Sequence, residues 1–417
     1  MDFSLEYTED QEAFAREVRE WIKENVPSGL VNLRDPVKKT YEQWQLRREL
    51  GRRLGKKGWL YPGLPAEYGG GGLDADRRHV LSQEFEKARI GYPPFYDSAR
   101  LAVGPILALG TPEQKELFLP PILRGEVTTW QLFTEPEAGT DEANQHTDAL
   151  RHEKEGEHFV INGDKIFVGG LYAPPDQFLL LTRSDREAAR HENLAMFLAP
   201  ADLPGVSITP LPLFVSGTLS QVSGPTVDQA PAVKHQVFFD DVRVHQRYLI
   251  GGERDGWRVT TATLDVEHGG GQVGIPSENY VVTRFLEQCR GNPMVQKRLK
   301  ENPQLLESVV NVYIGSEIQR LWGLRNSWYS GARIRAPYVG PQLGLYSKVF
   351  GGQMVGDIAR VLGPCTFTEG TQWSLDEDLF EVMQRAGVCF APAGTPEAQK
   401  IIISRALAIG RQPGGGR

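Results

Sequence analysis

The sequence predicts a multidomain α+β protein, in which an N-terminal all-α domain is followed by a compact β domain and a C-terminal bundle of helices. Helix-start patterns recur through the first 125 residues, short β-branched and aromatic runs fill the middle, and a long apolar stripe at helical spacing marks the last third. Because 417 residues exceed one ordinary core, we expect domains at residues 1–125, 126–242 and 243–417.

The N-terminal domain is predicted from helix-capping patterns. Thr8 and Gln11 match a capping box, and the apolar residues that follow share one helical face: Phe14, Val18, Trp21 and Ile22. Thr111 is a second N-cap candidate, with proline at the next position. We also expect a helix over residues 76–88 and a loop over the Gly- and Pro-rich residues 58–72.

The β domain is predicted from short apolar runs that are separated by turn residues. Asn162 and Gly163 stand between two such runs and predict a hairpin turn there. Further strands are expected over residues 178–182, 194–199, 206–213 and 237–239. Residues 216–233 are rich in Gly, Ser and Pro and predict a long loop.

The C-terminal bundle is predicted from an apolar stripe and a late helix start. The stripe fits core packing between helices and comprises Leu306, Val309, Val310, Tyr313, Ile314, Ile318, Leu321 and Trp328. Thr395 and Pro396 then begin a last helix, which we expect to end near Gly410. The tail over residues 412–417 is expected to be disordered.

The composition excludes several classes of function. The net charge is −7 and no segment concentrates Lys and Arg among aromatic residues, which argues against nucleic-acid binding. No apolar run approaches the ~20 residues that span a bilayer, and the first residues lack an export signal, so no membrane association is expected. The three widely spaced cysteines indicate a reducing, cytoplasmic location and offer no metal-ligand spacing, so we expect no metal.

The most informative stretch is the loop Phe133–Asp141, which reads Phe-Thr-Glu-Pro-Glu-Ala-Gly-Thr-Asp. Pro136 fixes one φ angle, and Gly139 lets a bound molecule approach the main chain closely. Thr134 and Thr140 add hydroxyl groups. Such a loop suits a flat heteroaromatic ring or a pyrophosphate. The alternative is a surface turn that binds nothing.

These pieces, in this order, resemble the acyl-CoA dehydrogenase family almost end to end. The loop resembles the family's flavin motif, usually written TEPxAGSD, and four further motifs follow or precede it in the family's order: residues 58–70, 110–122, 162–166 and 237–257. The resemblance implies an N-terminal α-helical domain, a central β-barrel-like domain and a C-terminal four-helix bundle. It also implies FAD between the β domain and the bundle, held partly by a neighbouring subunit.

The resemblance implies a flavin contact for each matching residue. The pyrimidine side of the ring is expected to meet Gln131, Leu132, Phe133 and Thr134, and the pyrophosphate and the entering acyl-CoA are expected near Gly139 and Thr140. Phe167 stands where the family normally has a Trp that packs on the isoalloxazine. Gly169 stands where a Thr or Ser hydroxyl usually reaches flavin N5, so we expect backbone or water to make that contact here.

Further FAD contacts are implied in the C-terminal domain. Arg360 and Gly363 match a segment that reaches a neighbouring subunit's FAD, where the family usually has Gln in place of Arg360. Thr395 and Glu397 match the turn on the adenosine side, at a helix N-terminus that can favour phosphate.

The family reaction is α,β-desaturation of an acyl-CoA thioester, in which a carboxylate removes the α-proton and the β-hydride goes to flavin N5. Many members carry that base just before the Gly-Thr that opens the last helix, where this chain has Ala393. Others carry it in a segment written LDxER, where Glu267 stands; the alternative for Glu267 is a solvated or ion-paired helix carboxylate. The expected substrate contacts are Asp265, His268, Ala393 and Gly394, although His268 is better explained as bundle filling.

Three functions remain open at the level of sequence. The first is an active acyl-CoA dehydrogenase of fatty acid metabolism, a homodimer or homotetramer that uses Glu267 and passes electrons to an electron-transfer flavoprotein. The second is a non-catalytic or half-site subunit of a hetero-oligomer, which Ala393, Gly169 and Pro364 motivate. The third is a flavin oxidase or monooxygenase on the same fold. The acyl chain of the substrate is not indicated by the sequence.

Overall fold

The computed structural model describes the following residues: 7–30, 41–88, 90, 99–151, 156–169, 174–211, 234–265, 279–332, 334, 336–363, 366 and 394–409. Helices come first, strands second and helices again last, which confirms the predicted α+β class. Internal contacts divide the chain into two compact units, Met1–Glu267 and His268–Arg417. The boundaries of the three domains stay predictions.

The first unit begins with helices, which are α1 (Glu9–Asn25), α2 (Tyr41–Lys57), α3 (Ala75–Lys87), α4 (Ala99–Leu109) and α5 (Pro112–Leu123). The predicted capping box at Thr8 and the predicted N-cap at Thr111 are confirmed: both hydroxyls accept backbone N–H bonds, at 3.3 and 3.2 Å. Helices α1, α2 and α3 enclose Val18, Leu54 and Phe85, which are fully buried. Each such side chain contributes about 1.5–3 kcal/mol of burial free energy.

The middle of the first unit is one sheet, whose strands are β1 (Thr129–Leu132), β2 (Asp148–Arg151), β3 (His158–Gly169), β4 (Gln177–Arg183), β5 (Leu194–Pro200), β6 (Val206–Pro210) and β7 (Lys234–His245). Its order is β1-β4-β2-β3-β7-β6, and β5 pairs with β4. The pairs of β4 with β1 and β2 are parallel and the other pairs are antiparallel.

The sheet is curled, as contacts between strands that are far apart in its order show. Trp130 on β1 stacks on His235 on β7, with 4.6 Å between ring centroids, although β4, β2 and β3 lie between those strands. Phe178 on β4 meets Phe239 on β7 at 6.0 Å. Apolar residues from all these strands fill the interior. The predicted barrel-like central domain is thereby confirmed.

The predicted hairpin at Asn162 and Gly163 is wrong, because β3 runs without a turn through both residues. Its pairing with β7 shifts register between Ile161 and Gly163, which marks a β-bulge. Gly163 has φ +141°, and a Cβ there would lie 2.7 Å from the Thr147 Cα. A close backbone neighbour, and not a chain reversal, therefore explains this glycine.

The first unit ends with α6 (Gly256–Asp265), and the second contains α7 (Tyr280–Gly291), α8 (Pro293–Glu301), α9 (Leu305–Gly331), α10 (Val339–Leu362) and α11 (Pro396–Ala406). Thr395 caps α11 as predicted, with its hydroxyl accepting the Ala398 N–H at 3.2 Å. The helix stops at Ala406, short of the expected Gly410. The predicted loop at 216–233 and the tail at 412–417 lie outside the described residues.

Helix α9 carries an exposed apolar stripe, which we name the α9 stripe and which corrects the expectation of core packing for six of the eight predicted residues; Val309 does pack against the core. Its members are 48–61% exposed: Leu306, Val310, Tyr313, Ile314, Leu321 and Trp328. The buried face of α9 is a different one, with Val312 in the core and Gly315 against Phe350 of α10. A helical period shows that a helix has apolar faces but does not say which of them meets its own chain.

No helix within the described ranges is long and apolar enough to cross a lipid bilayer.

Candidate functional site

The loop Phe133–Asp141 leaves β1 and is fastened to β3. The carbonyl of Thr134 accepts the Ile166 N–H at 2.9 Å. Glu135 and Ala138 close a turn by two mutual backbone hydrogen bonds of 3.0 and 3.1 Å, which places Pro136 at its exposed corner. The motif that sequence reasoning singled out is therefore held in one shape beside β3.

Lys165 of β3 joins the loop from inside the protein. Its side chain is fully buried, and its Nζ donates to three oxygens: Glu135 Oε1 at 2.7 Å, the Phe133 carbonyl at 3.2 Å and Gln145 Oε1. Sequence reasoning did not single out this set. The sequence signal for this network is a charged residue within a predominantly apolar segment, as Glu135 and Lys165 both are.

Glu135 completes the same network from the loop side. It is 3% exposed, and its carboxylate accepts the backbone N–H groups of His146 at 2.6 Å and Thr147 at 3.0 Å. A buried charge is costly unless it is paired and hydrogen-bonded, and here both conditions are met. The ion pair therefore joins the start of the loop to β3 and to residues 145–147, which follow the loop.

The two charges persist at neutral pH. Burial lowers the pKa of Lys165 to about 8, against the attraction of Glu135. Burial also raises the pKa of Glu135, but the charge and hydrogen bond of Lys165 and the hydrogen bonds of Thr147 outweigh it. The pKa of Glu135 therefore lies below its ordinary value.

Phe167 is the exposed aromatic of the site. Its backbone has φ +57°, and its ring is 48% exposed, although Lys165 and Val168 on either side are buried. The register of β3 with β7 shifts between Lys165 and Val168, so Phe167 lies in a bulge. A left-handed backbone is uncommon for an aromatic residue and is typical of functional sites.

Beyond the bulge, Gly169 pairs with Lys234 at the start of β7. A Cβ on Gly169 would lie 3.5 Å from the Lys234 Nζ. The next pair is Val168 with His235, whose ring stacks on Trp130. Burial lowers the pKa of His235 to about 4, which makes this imidazole neutral at physiological pH.

The other predicted residues of this region divide into exposed and buried ones. Gly139 and Thr140 are exposed, and among the described residues a Cβ on Gly139 would meet the Thr134 Cγ2 alone, at 3.9 Å. Leu132 and Phe133 are 0% and 3% exposed and belong to two hydrophobic cores. A flavin would therefore meet these two through their backbone. Gln131 is half-buried on β1, opposite Leu179.

A second loop is tied to the motif. Arg190, between β4 and β5, forms an ion pair with Asp141. Its neighbour His191 has φ +75° and stacks on Trp257 of α6, with 4.5 Å between ring centroids. Both partners of the ion pair are more than half exposed, so this contact is weak beside the buried Glu135–Lys165 pair.

In the second unit, the end of α10 is organised by an arginine that sequence reasoning missed. Arg298 donates to the carbonyls of Arg360 and Val361, both at 3.1 Å, and lies against Gly363, which has φ +66°. The Arg360 guanidinium is 62% exposed and is held by Asp357 at 2.9 Å. The predicted roles of Arg360 and Gly363 toward a neighbour's FAD stay predictions.

The start of α11 is described only from Gly394, which has φ +79°. Glu397 is exposed in the first turn, beside the Thr395 cap. Three predicted residues lie outside the described ranges: Glu267, His268 and Ala393. Asp265 ends α6, but its side chain is likewise not described. Among the residues that are described, no group of three His, Cys, Asp or Glu is arranged to hold a metal ion.

Comparison with known proteins places this arrangement in a family. Residues 8–126 match the acyl-CoA dehydrogenase N-terminal domain, and residues 131–217 match the acyl-CoA dehydrogenase middle domain. Acyl-CoA dehydrogenase IpdE1 of Mycobacterium tuberculosis is 33% identical over 301 residues, which are 70% of this chain and 73% of that relative. The chain belongs to the acyl-CoA dehydrogenase family.

Other relatives of the family align over nearly the whole chain. Acyl-CoA dehydrogenase FadE26 of Mycobacterium tuberculosis is 28% identical over 414 residues, 96% of each chain. The crystal structure of the ChsE4–ChsE5 complex from the same organism matches with a TM-score of 0.73 and 26% identity, over 99% of this chain and 100% of that one. A structure titled Tcur3481–Tcur3483 steroid ACAD has a TM-score of 0.72 at 24% identity, over 99% and 100%, and shows a shared fold.

Family membership makes this chain an oxidoreductase of the acyl-CoA dehydrogenase type, and members of the family bind FAD. The residues around Phe167 fit that cofactor. They offer an exposed flat ring, an open glycine at position 139, and a loop that the buried ion pair holds in place. A flavin ring needs an apolar face, and its pyrophosphate needs backbone N–H groups that no side chain shields.

Proposed function

We propose that this chain binds FAD on the surface around Phe167 and oxidises an acyl-CoA thioester between its α and β carbons. Bound FAD would supply the hydride acceptor for this reaction. The protein would orient the thioester, exclude water and remove the α-proton. The single observation that carries the cofactor proposal is the half-exposed Phe167 ring on its left-handed backbone.

Phe167 supports a flavin seat because its conformation is costly without a ligand. A left-handed backbone costs an L-residue about 1–2 kcal/mol, and the exposed ring gains little burial to offset it. The neighbouring residues Lys165 and Val168 are buried and hold the strand on both sides. Stacking a flat ring on Phe167 would recover the apolar contact that the free protein lacks.

Gly139 and Thr140 support the path of the phosphates and of the acyl-CoA. Both are exposed at the end of a loop whose shape is fixed by the Glu135–Ala138 turn. The space over Gly139 is open, so a pyrophosphate can approach the main chain. The Thr140 hydroxyl would then face the entering thioester.

Proton removal is assigned to Glu267 on sequence grounds. The α-proton of a thioester is weakly acidic, so the base needs a raised pKa and the thioester oxygen needs hydrogen-bond donors. Ala393 has no side chain that accepts a proton, but its backbone N–H can donate to that oxygen. Asp265, His268 and Gly394 complete the proposed substrate contacts, and an electron-transfer flavoprotein is the proposed electron acceptor.

A second candidate is an acyl-CoA dehydrogenase built from two different chains. The α9 stripe presents six large apolar side chains to solvent, as an oligomeric protein does at its interface. One solved structure that this chain resembles is a complex of two chains, ChsE4 and ChsE5. Ala393, at the usual position of the base, favours a partner that contributes one.

The proposed reaction is tested by adding acyl-CoA thioesters to the FAD-loaded protein without oxygen. Straight, branched, aromatic and sterol-derived thioesters form the panel, and loss of the flavin absorption band is the signal. We expect bleaching with at least one thioester, and a slowing of at least a hundredfold in Glu267→Gln. Glu20→Gln is the matched control, since Glu20 is an exposed carboxylate on α1 to which no cofactor or substrate role is assigned. Full activity of Glu267→Gln would remove Glu267 as the base.

The two-chain candidate is tested by purifying this chain alone and measuring its mass and its FAD content. A homo-oligomer with one FAD per chain, which is bleached by a thioester, supports the single-chain enzyme. A chain that holds FAD only after co-expression with a second family member supports the two-chain enzyme. A chain that binds no FAD under either condition contradicts both candidates.

A further inference from the structure

We infer that the Lys234 ammonium replaces, at the N5 edge of the flavin, the hydroxyl group that Gly169 lacks. The inference rests on the proposed FAD site. The sequence suggested only backbone or water for this contact, because glycine has no hydroxyl group. The structure supplies a donor from another strand.

The pairing of β3 with β7 brings the two residues together. Gly169 and Lys234 are direct cross-strand partners, and such partners place their side chains on the same face of a sheet. The Lys234 Nζ lies 3.5 Å from the point that a Cβ of residue 169 would occupy. The ammonium therefore lies in van der Waals contact with the position where a side chain of residue 169 would begin.

The alternation of side chains shows which face this is. Val168 and His235 form the preceding pair, and both are buried, with His235 stacked on Trp130. Gly169 and Lys234 consequently belong to the opposite, outer face. Phe167 also exposes its ring. Phe167 and Gly169 are two residues apart on β3, so a flavin that bound over Phe167 and extended along the strand would approach the ammonium.

An ammonium does more at this position than a hydroxyl would. It carries three N–H donors, so it can serve a flavin nitrogen together with another acceptor. It also carries a positive charge, and reduction makes the flavin electron-rich. A cation at hydrogen-bond distance stabilises the reduced form more than the oxidised form and raises the reduction potential. The neighbouring His235 adds no second charge, because burial keeps it neutral.

The test measures the midpoint potential of bound FAD against reference dyes. In Lys234→Met we expect the equilibrium constant for reduction to fall at least tenfold, which is about 30 mV for a two-electron couple. Lys234→Arg retains the charge, so its equilibrium constant for FAD reduction should stay within threefold of the wild-type value. Lys23→Met is the matched control, because it removes an exposed lysine from the last turn of α1. The midpoint potential of FAD bound to this variant should equal that of the wild type.

FAD content separates the possible outcomes. If the wild-type protein binds no FAD, either alone or after co-expression with a second family member, the proposed function fails. If Lys234→Met binds FAD and its equilibrium constant for FAD reduction stays within twofold of the wild-type value, the inference fails and the proposed function stands. If Lys234→Met loses FAD, the potential of Gly169→Ser decides. The Cβ of the new serine fits at 3.5 Å from the Lys234 Nζ. Its hydroxyl should displace the ammonium and lower the equilibrium constant for FAD reduction more than twofold. An unchanged potential in Gly169→Ser overturns the inference.

Discussion

Lys165 on β3 donates a hydrogen bond of 2.7 Å to Glu135 in the flavin-motif loop, and both side chains are buried. The pair connects a strand and a loop that are 30 residues apart in sequence. It therefore determines where the loop stands relative to Phe167, and its loss should be felt in both stability and cofactor binding.

Removing the lysine should destabilise the first unit strongly. Lys165→Met leaves a buried carboxylate without its cation, which costs about 3–5 kcal/mol of unfolding free energy. Urea denaturation of the apoprotein measures this. Arg190→Met breaks the exposed pair with Asp141 and should cost only about 0.2–1 kcal/mol. Equal losses in the two variants would contradict the central role of the buried pair.

The same pair predicts a loss of stability in acid. The pKa of Glu135 is lower in the folded than in the unfolded state, so the unfolded state binds more protons once the pH falls below about 4.5. The stabilisation by this carboxylate is thus complete above its unfolded pKa and is lost as the pH drops through the folded value. Unfolding free energies measured at about pH 6, 5, 4 and 3 should decline less steeply in Glu135→Gln. A parallel decline in both proteins would contradict the assignment.

The bulge at Gly163 predicts a pronounced sensitivity to a single methyl group. Gly163→Ala places a Cβ 2.7 Å from the Thr147 Cα on a backbone of φ +141°, so it should destabilise by about 1–3 kcal/mol. Gly156→Ala is the control, because a Cβ there meets nothing within 4 Å. Thermal unfolding of both variants checks this, and a stable Gly163→Ala protein would show that Thr147 can move away.

The α9 stripe predicts that surface charges alter assembly and not folding. Tyr313→Lys and Leu321→Lys replace side chains that are 52% and 53% exposed, so each chain should stay folded while its oligomers dissociate. Sedimentation velocity measures the assembly and circular dichroism the folding. Glu307→Lys, an exposed polar position on the same helix, should leave assembly intact. Unchanged assembly in both stripe variants would exclude this face as an interface.

Much of the fold could be predicted from the sequence because its signals are local. The capping boxes at Thr8 and Thr111, the cap at Thr395 and the order of helices and strands each depend on residues within a few positions of one another. The flavin-motif loop was equally visible, because Pro136 and Gly139 constrain the backbone where they stand.

The rest depends on long-range contacts, which local patterns do not specify. Asn162 and Gly163 suggest a turn until Thr147 is found packed against the glycine. The α9 stripe suggests a core until Val312 is found in the core and Gly315 against Phe350 of α10. The cross-strand neighbour of Gly169, Lys234, comes from a strand that the sequence predicted only over its middle residues.

The most direct test of the whole account is the FAD affinity of Phe167→Gly, measured by the change in flavin fluorescence on binding. Glycine removes the ring but relieves the left-handed backbone, so the apoprotein should be at least as stable as the wild type. We predict a dissociation constant at least tenfold higher, about 1.4 kcal/mol of binding free energy. Phe238→Ala, which removes a 38% exposed ring from β7, should bind FAD as the wild type does. Unchanged affinity in Phe167→Gly would contradict the proposed flavin seat.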